Sequence, residues 1–231
     1  MFSSVILLRN SRQLGLISAL IFATAVSLGL LVLRVIYSHT PQFSWLGWNL
    51  FLAWMPVLCA LLAYNLARQR SKLAALVVFP CAVIWFFFFP NAPYLVIDMI
   101  HLKARPGLPF WYDLLLLLAF AWTGFFLGLV SLMLMQEVVR GRTNATLSWL
   151  FALVMICLAS FGIYLGRFQR WNSWDVISNP LRLFFAAARP VRHPVTHLET
   201  VAFSVLFAFF LVAMYLMLRA VMNFHHEVGR N

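Results

Sequence analysis

Six uninterrupted apolar runs, each near the length a helix needs to cross a lipid bilayer, leave this chain few ways to fold. A helix rises 1.5 Å per residue, so about 20 apolar residues span the hydrocarbon core. The runs are Leu14–Leu33, Leu46–Leu66, Leu73–Phe89, Leu114–Met135, Leu147–Leu165 and Leu198–Leu218. Within lipid every backbone N–H and C=O must find a partner inside the protein, which restricts crossing segments to helices and closed barrels. Barrel strands alternate apolar and polar residues, and these runs do not. The expectation is an all-α, polytopic transmembrane helical bundle of about six spanning helices, with short interfacial helices added. Residues 1–231 are read as a single integral membrane domain.

Charge is sparse: 10% of the 231 residues are charged, against 64% hydrophobic, yet the net charge is +11. In a soluble protein that charge would direct attention to nucleic acid. Here the basic residues sit between apolar runs, where they act as topology signals and meet anionic headgroups, so no nucleic-acid partner is expected. Arg9 and Arg12 precede the first run, Arg68, Arg70 and Lys72 follow the second, and Tyr37–Ser44 contains no Lys or Arg. The positive-inside rule then places the N-terminus in the cytoplasm, although the totals on the two sides are nearly equal, nine against eight. Ala23-Thr24-Ala25 resembles a signal cleavage site, but the apolar run continues past it and reads as a retained helix.

With six crossings, the connections after spans one, three and five emerge on one face, the outer face in this orientation. They hold most of the unusual polar residues. After the third span come Phe89-Pro90-Asn91-Ala92-Pro93-Tyr94, then Asp98 and His101. The prolines should end the spanning helix, and Asn91 can cap a short new one on which Asp98 and His101 share a face. Trp111-Tyr112-Asp113 opens the fourth span, Gly166-Arg167-Phe168-Gln169-Arg170-Trp171-Asn172-Ser173-Trp174-Asp175 follows the fifth, and Glu199 opens the sixth. The tryptophans near this face read first as an interfacial belt. From Asn179 to Pro190 a surface helix is expected, capped by Asn179, with Pro180 in its first turn and Pro190 at its end. Its arginines, Arg182 and Arg189, would share a face in the outer interface.

Elsewhere, Gly124/Gly128 and Gly162/Gly166 have the four-residue spacing that lets helices approach closely, pointing to tight packing that involves spans four and five. Pro56 and Pro80 fall inside spans and should kink them. Cys59, Cys81 and Cys157 read as small buried hydrophobes without metal or disulfide spacing. His225-His226-Glu227 reads as a solvated tail. No metal site is assigned, and no cofactor is identifiable.

Three stretches resemble one known family. They are Phe-Pro-Asn-Ala-Pro-Tyr with Asp98 and His101, Trp111-Tyr112-Asp113, and Gly166-Arg167-Phe168 with Arg170-Trp171-Asn172-Ser173-Trp174-Asp175. The family is one of bacterial multi-pass membrane proteins, known as a domain of unknown function numbered 1361. The resemblance runs from about Trp48 into the last span. It implies a bacterial inner-membrane protein and brings no established activity.

The polar cluster supports three readings. In the first, it forms a periplasm-facing site that binds or processes an anionic lipid or lipid-linked substrate. Asp98, His101, Asp113 and Asp175 are then the candidate catalytic groups, and Asn91, Arg167, Arg170, Trp171, Asn172 and Trp174 the candidate binding groups. Guanidinium forks suit phosphate oxygens, and a carboxylate or imidazole can move a proton. In the second, the acids pair with Arg167, Arg170 and neighbours and only brace the fold, the protein serving as a component of a membrane complex. The third is transport, favoured by the kinked second and third spans; the lack of an ionisable residue near any span's centre counts against ion coupling and leaves a neutral solute. Expected partners are membrane lipid, with an anionic headgroup or a membrane protein at the polar face.

Overall fold

The computed structural model describes residues 11–69, 71–103, 108–171 and 175–228. All six expected spans are present as helices long and apolar enough to cross a membrane, and there is no strand among the described residues. This is a multi-pass membrane protein. The chain divides into two compact units, residues 1–144 and 145–231.

Unit 1 contains α1 (Ser11–Ser38), α2 (Trp45–Ala67), α3 (Lys72–Phe88), α4 (Asn91–Ile97), a 3₁₀ turn at Asp98–His101, and α5 (Phe110–Arg140). Its centre is α5, which α1, α2 and α4 all pack against. Lipid tails are as apolar as leucine side chains. Burial from water therefore does little to bring these helices together, and close packing and interhelical hydrogen bonds do it instead. Both are visible. The hydroxyls of Ser27 on α1 and Thr123 on α5 are 3.0 Å apart, and Trp54 Nε1 on α2 donates to Thr24 Oγ1 at 3.1 Å. Leu46, Leu50, Ala53, Val57, Leu95, Leu116, Phe120 and Leu127 fill the interior.

The close approach expected from Gly124 and Gly128 is real, and its partner is α4. A Cβ at Gly124 would run into the Leu95 side chain and stand 2.7 Å from the Ala92 carbonyl oxygen. One at Gly128 would stand 3.2 Å from Pro93 Cδ. The Asn-Ala-Pro stretch is thus what the two glycines admit. Asn91 does not cap α4 as expected. Pro90 holds the capping position, while Asn91 Nδ2 donates back to the Phe88 carbonyl at 3.1 Å, serving the end of α3. α2 and α3 continue as helices through Pro56 and Pro80.

Unit 2 contains α6 (Ala145–Phe168), α7 (Asp175–Ser178), α8 (Pro180–Arg192), a 3₁₀ turn at Pro194–His197, and α9 (Leu198–Val228). α6 and α9 pair antiparallel. Tyr164 and Phe168, late in α6, meet Phe203, early in α9, with ring centroids 5.7 and 5.3 Å apart. At the other end Arg219 lies over the rings of Trp149 and Tyr215. The backbone of α9 runs helically through residues 225–227. Of the cysteines, Cys81 is buried as expected, whereas Cys59 is half-buried and Cys157 is exposed.

Candidate functional site

Asp113 lies in the first turn of α5, where the helix dipole favours a carboxylate, and it is buried. Its partner is Arg34 from α1, also buried. Arg34 Nε donates to Asp113 Oδ1 at 2.7 Å and Nη2 to Oδ2 at 3.2 Å, a two-pronged pair. The remaining guanidinium donors reach Ser38 Oγ and Gln42 Oε1, each at 3.2 Å. The Phe43 ring covers the guanidinium at 4.8 Å. Phe43 holds this position with a left-handed φ of 65°, which costs a non-glycine residue about 1 kcal/mol or more. Beside the pair, the Tyr112 hydroxyl donates to the Leu30 carbonyl at 2.8 Å, joining α5 to α1 a second time.

Asp98 is 1% exposed, and Asn49 Nδ2 on α2 donates to its Oδ2 at 3.1 Å. His101 is one 3₁₀ turn further on, where residues three apart eclipse, and its ring meets Trp45 edge-on at 5.0 Å. Trp45 in turn neighbours Phe43 at 6.3 Å. Asp98, His101 and Asp113 therefore belong to one contiguous end of unit 1, knitted together by Arg34, Phe43, Trp45 and Asn49. A charge in the hydrocarbon region is kept only when paired, and here both acids have close polar partners.

The other sequence candidates lie in unit 2. Arg167 is half-buried in the last turn of α6. Arg170 is exposed and takes a left-handed φ of 60°. Trp171 N–H, just beyond it, bonds to the Leu165 carbonyl at 3.2 Å, closing the helix end. Glycine is the usual residue for such a position. Arg170→Gly is accordingly expected to raise the melting temperature in detergent, by relief of about 1 kcal/mol of strain, whereas Arg170→Ala should not. Asp175 Oδ1 accepts from Ser178 Oγ at 3.2 Å across the single turn of α7. Asn172 and Trp174 lie outside the described residues.

α8 departs from its expected bounds. It runs to Arg192 with Pro190 inside its last turn, where the proline ring is the helix's buried contact. Asn179 makes no capping bond to it. Leu181, Phe184 and Val191, 72, 60 and 72% exposed, share one side. Arg182, Arg189 and Arg192 are exposed beside them. That is the pattern of a helix lying in a membrane interface. Among the described residues, no three His, Cys, Asp or Glu side chains are grouped to hold a metal ion.

Arg34 and Asn49 are absent from the sequence-derived site. A signal for Arg34 existed: it is the only Lys, Arg, Asp or Glu between residues 14 and 66. A lone arginine at the end of a span needs a buried acid.

A model of the family described as "Protein of unknown function (DUF1361)" matches residues 48–214. No curated protein and no solved structure matches the chain.

Proposed function

The chain belongs to the DUF1361 family, and from that premise we propose that the protein binds an anionic lipid headgroup or lipid-linked phosphate along α8. The observation that carries this is the exposed side of that helix. Its apolar stripe of Leu181, Phe184 and Val191 enters the acyl boundary, and Arg182, Arg189 and Arg192 stand at headgroup level beside it. Arg170, held exposed in a conformation that suits glycine, adds a fourth guanidinium to the same unit. The positive-inside bias of the first two connections supports an outer, periplasmic position for this face in a bacterial inner membrane.

The acids take a different role in this reading. Asp113 and Asp98 are braces, matched to Arg34 and Asn49, and Asp175 orders its own turn. This part coincides with the structural reading, which the burial of both unit 1 acids favours. His101, half-buried against Trp45, is the proton-transfer candidate on that face.

The test is thermal stability of the full chain in nanodiscs of phosphatidylcholine with and without phosphatidylglycerol. Wild type should melt higher with the anionic lipid, and the Arg182→Ala/Arg189→Ala/Arg192→Ala variant should lose that gain. About 1 kcal/mol per basic residue near an anionic surface is at stake. An equal gain in wild type and variant would refute the reading.

A further inference from the structure

At the end of unit 1 remote from Arg34 and Asp113, the α2–α3 connection and the C-terminal end of α5 enclose a cleft with a volume of 610 Å³. Asp113 lies in the first turn of α5 and Glu137 in its last, so the two ends are separated by about 36 Å of helix. Ala67, Ala75 and Val138 give the cleft an apolar floor, and Arg68 and Arg142 are exposed on its rim. The Arg68 guanidinium rests over the Tyr64 ring at 5.5 Å, which limits its freedom. The only acid in the lining, Glu137, has the Arg140 guanidinium 3.9 Å from its carboxylate. Across residues 64–75 and 137–142 the chain carries five basic residues and this one acid.

We propose that this cleft is a second anion site, taking the phosphate of a phosphate ester between Arg68 and Arg142. Guanidinium groups present paired donors that match phosphate oxygens, and a fork partly immobilised on an aromatic face loses little entropy on binding. The apolar floor accepts the carbon skeleton of the ester. The volume falls within the 300–1,000 Å³ range typical of small-ligand pockets, enough for a headgroup and too little for a folded partner. The phosphate can come from a lipid headgroup in the adjoining leaflet or from a soluble ester, and the chemistry of recognition is the same.

The experiment uses the full chain in phosphatidylcholine nanodiscs. One arm adds inorganic phosphate against potassium chloride of equal ionic strength. The other replaces part of the phosphatidylcholine by phosphatidylglycerol. A rise in melting temperature with inorganic phosphate that Arg68→Ala/Arg142→Ala abolishes and Arg182→Ala/Arg189→Ala leaves intact identifies a soluble phosphate ligand. In the phosphatidylglycerol arm, where α8 contributes as well, a rise that Arg68→Ala/Arg142→Ala lowers beyond the loss caused by Arg182→Ala/Arg189→Ala/Arg192→Ala identifies a lipid headgroup. Should the double alanine variant not fold, Arg68→Lys/Arg142→Lys keeps the charge and loses the forks, and half-saturation should move up about tenfold. Glu137→Gln should move it the opposite way. No rise with inorganic phosphate, or one whose half-saturation the Arg68/Arg142 substitutions leave unchanged, together with a phosphatidylglycerol rise that those substitutions do not lower, overturns the proposal.

Discussion

Asp113→Asn is expected to destabilise the fold by about 3–5 kcal/mol, the usual consequence of removing one partner from a buried ion pair. The substitution strands the Arg34 guanidinium, which is 2% exposed. Arg34→Met strands the buried carboxyl instead and should also destabilise. The double variant Arg34→Met/Asp113→Leu should recover most of the loss, since well-packed apolar residues often replace such a pair without penalty. Unfolding in mixed micelles of wild type, Arg34→Met, Asp113→Leu and the double variant measures this. Additive losses in the double variant would show that the two residues are not coupled.

Gly124→Ala is the second substitution with a large expected effect. The added methyl meets Leu95 Cδ1, which can turn aside, and the Ala92 carbonyl oxygen and Leu95 Cβ, which cannot move without shifting α4. Overpacking of this kind costs about 1–3 kcal/mol, and displacing α4 also disturbs the turn that presents Asp98 and His101. Gly128→Ala meets Pro93 Cδ at 3.2 Å and Ala92 Cβ at 3.4 Å, so a shift of a few tenths of an ångström accommodates it. The measured order should be Gly124→Ala well below wild type and Gly128→Ala close to it. Equal effects at the two positions would contradict the α4 packing.

The architecture was legible because span length and apolar continuity are local properties, and lipid leaves a helix as the one conformation for such runs. The site was legible only in part. Asp98, His101 and Asp113 stand out as rare acids and a histidine at span ends, but their partners are decided by packing. Arg34 meets Asp113 across 79 positions, and it precedes the matched family region, which begins at residue 48. Asn49 starts the second span on the same side, but only the packing of α4 and its 3₁₀ turn against α2 brings it to Asp98. The glycine spacing announced a close approach without naming its partner, because the short α4 carries no periodic signal. In α8 the helix runs two residues past Pro190, whose ring is buried, so packing rather than the local proline signal sets the end.

The division of labour between exposed arginines that hold lipid and buried acids that hold the fold is the centre of this account. Anionic lipid retained by the purified protein, counted by native mass spectrometry, tests it most directly. The comparison is between Arg182→Ala/Arg189→Ala/Arg192→Ala and Asp98→Asn. The account predicts that the arginine variant loses bound phosphatidylglycerol while Asp98→Asn keeps the wild-type amount in whatever fraction remains folded. Retention by the arginine variant together with loss in Asp98→Asn would contradict it, and would move the lipid site to the acids of unit 1.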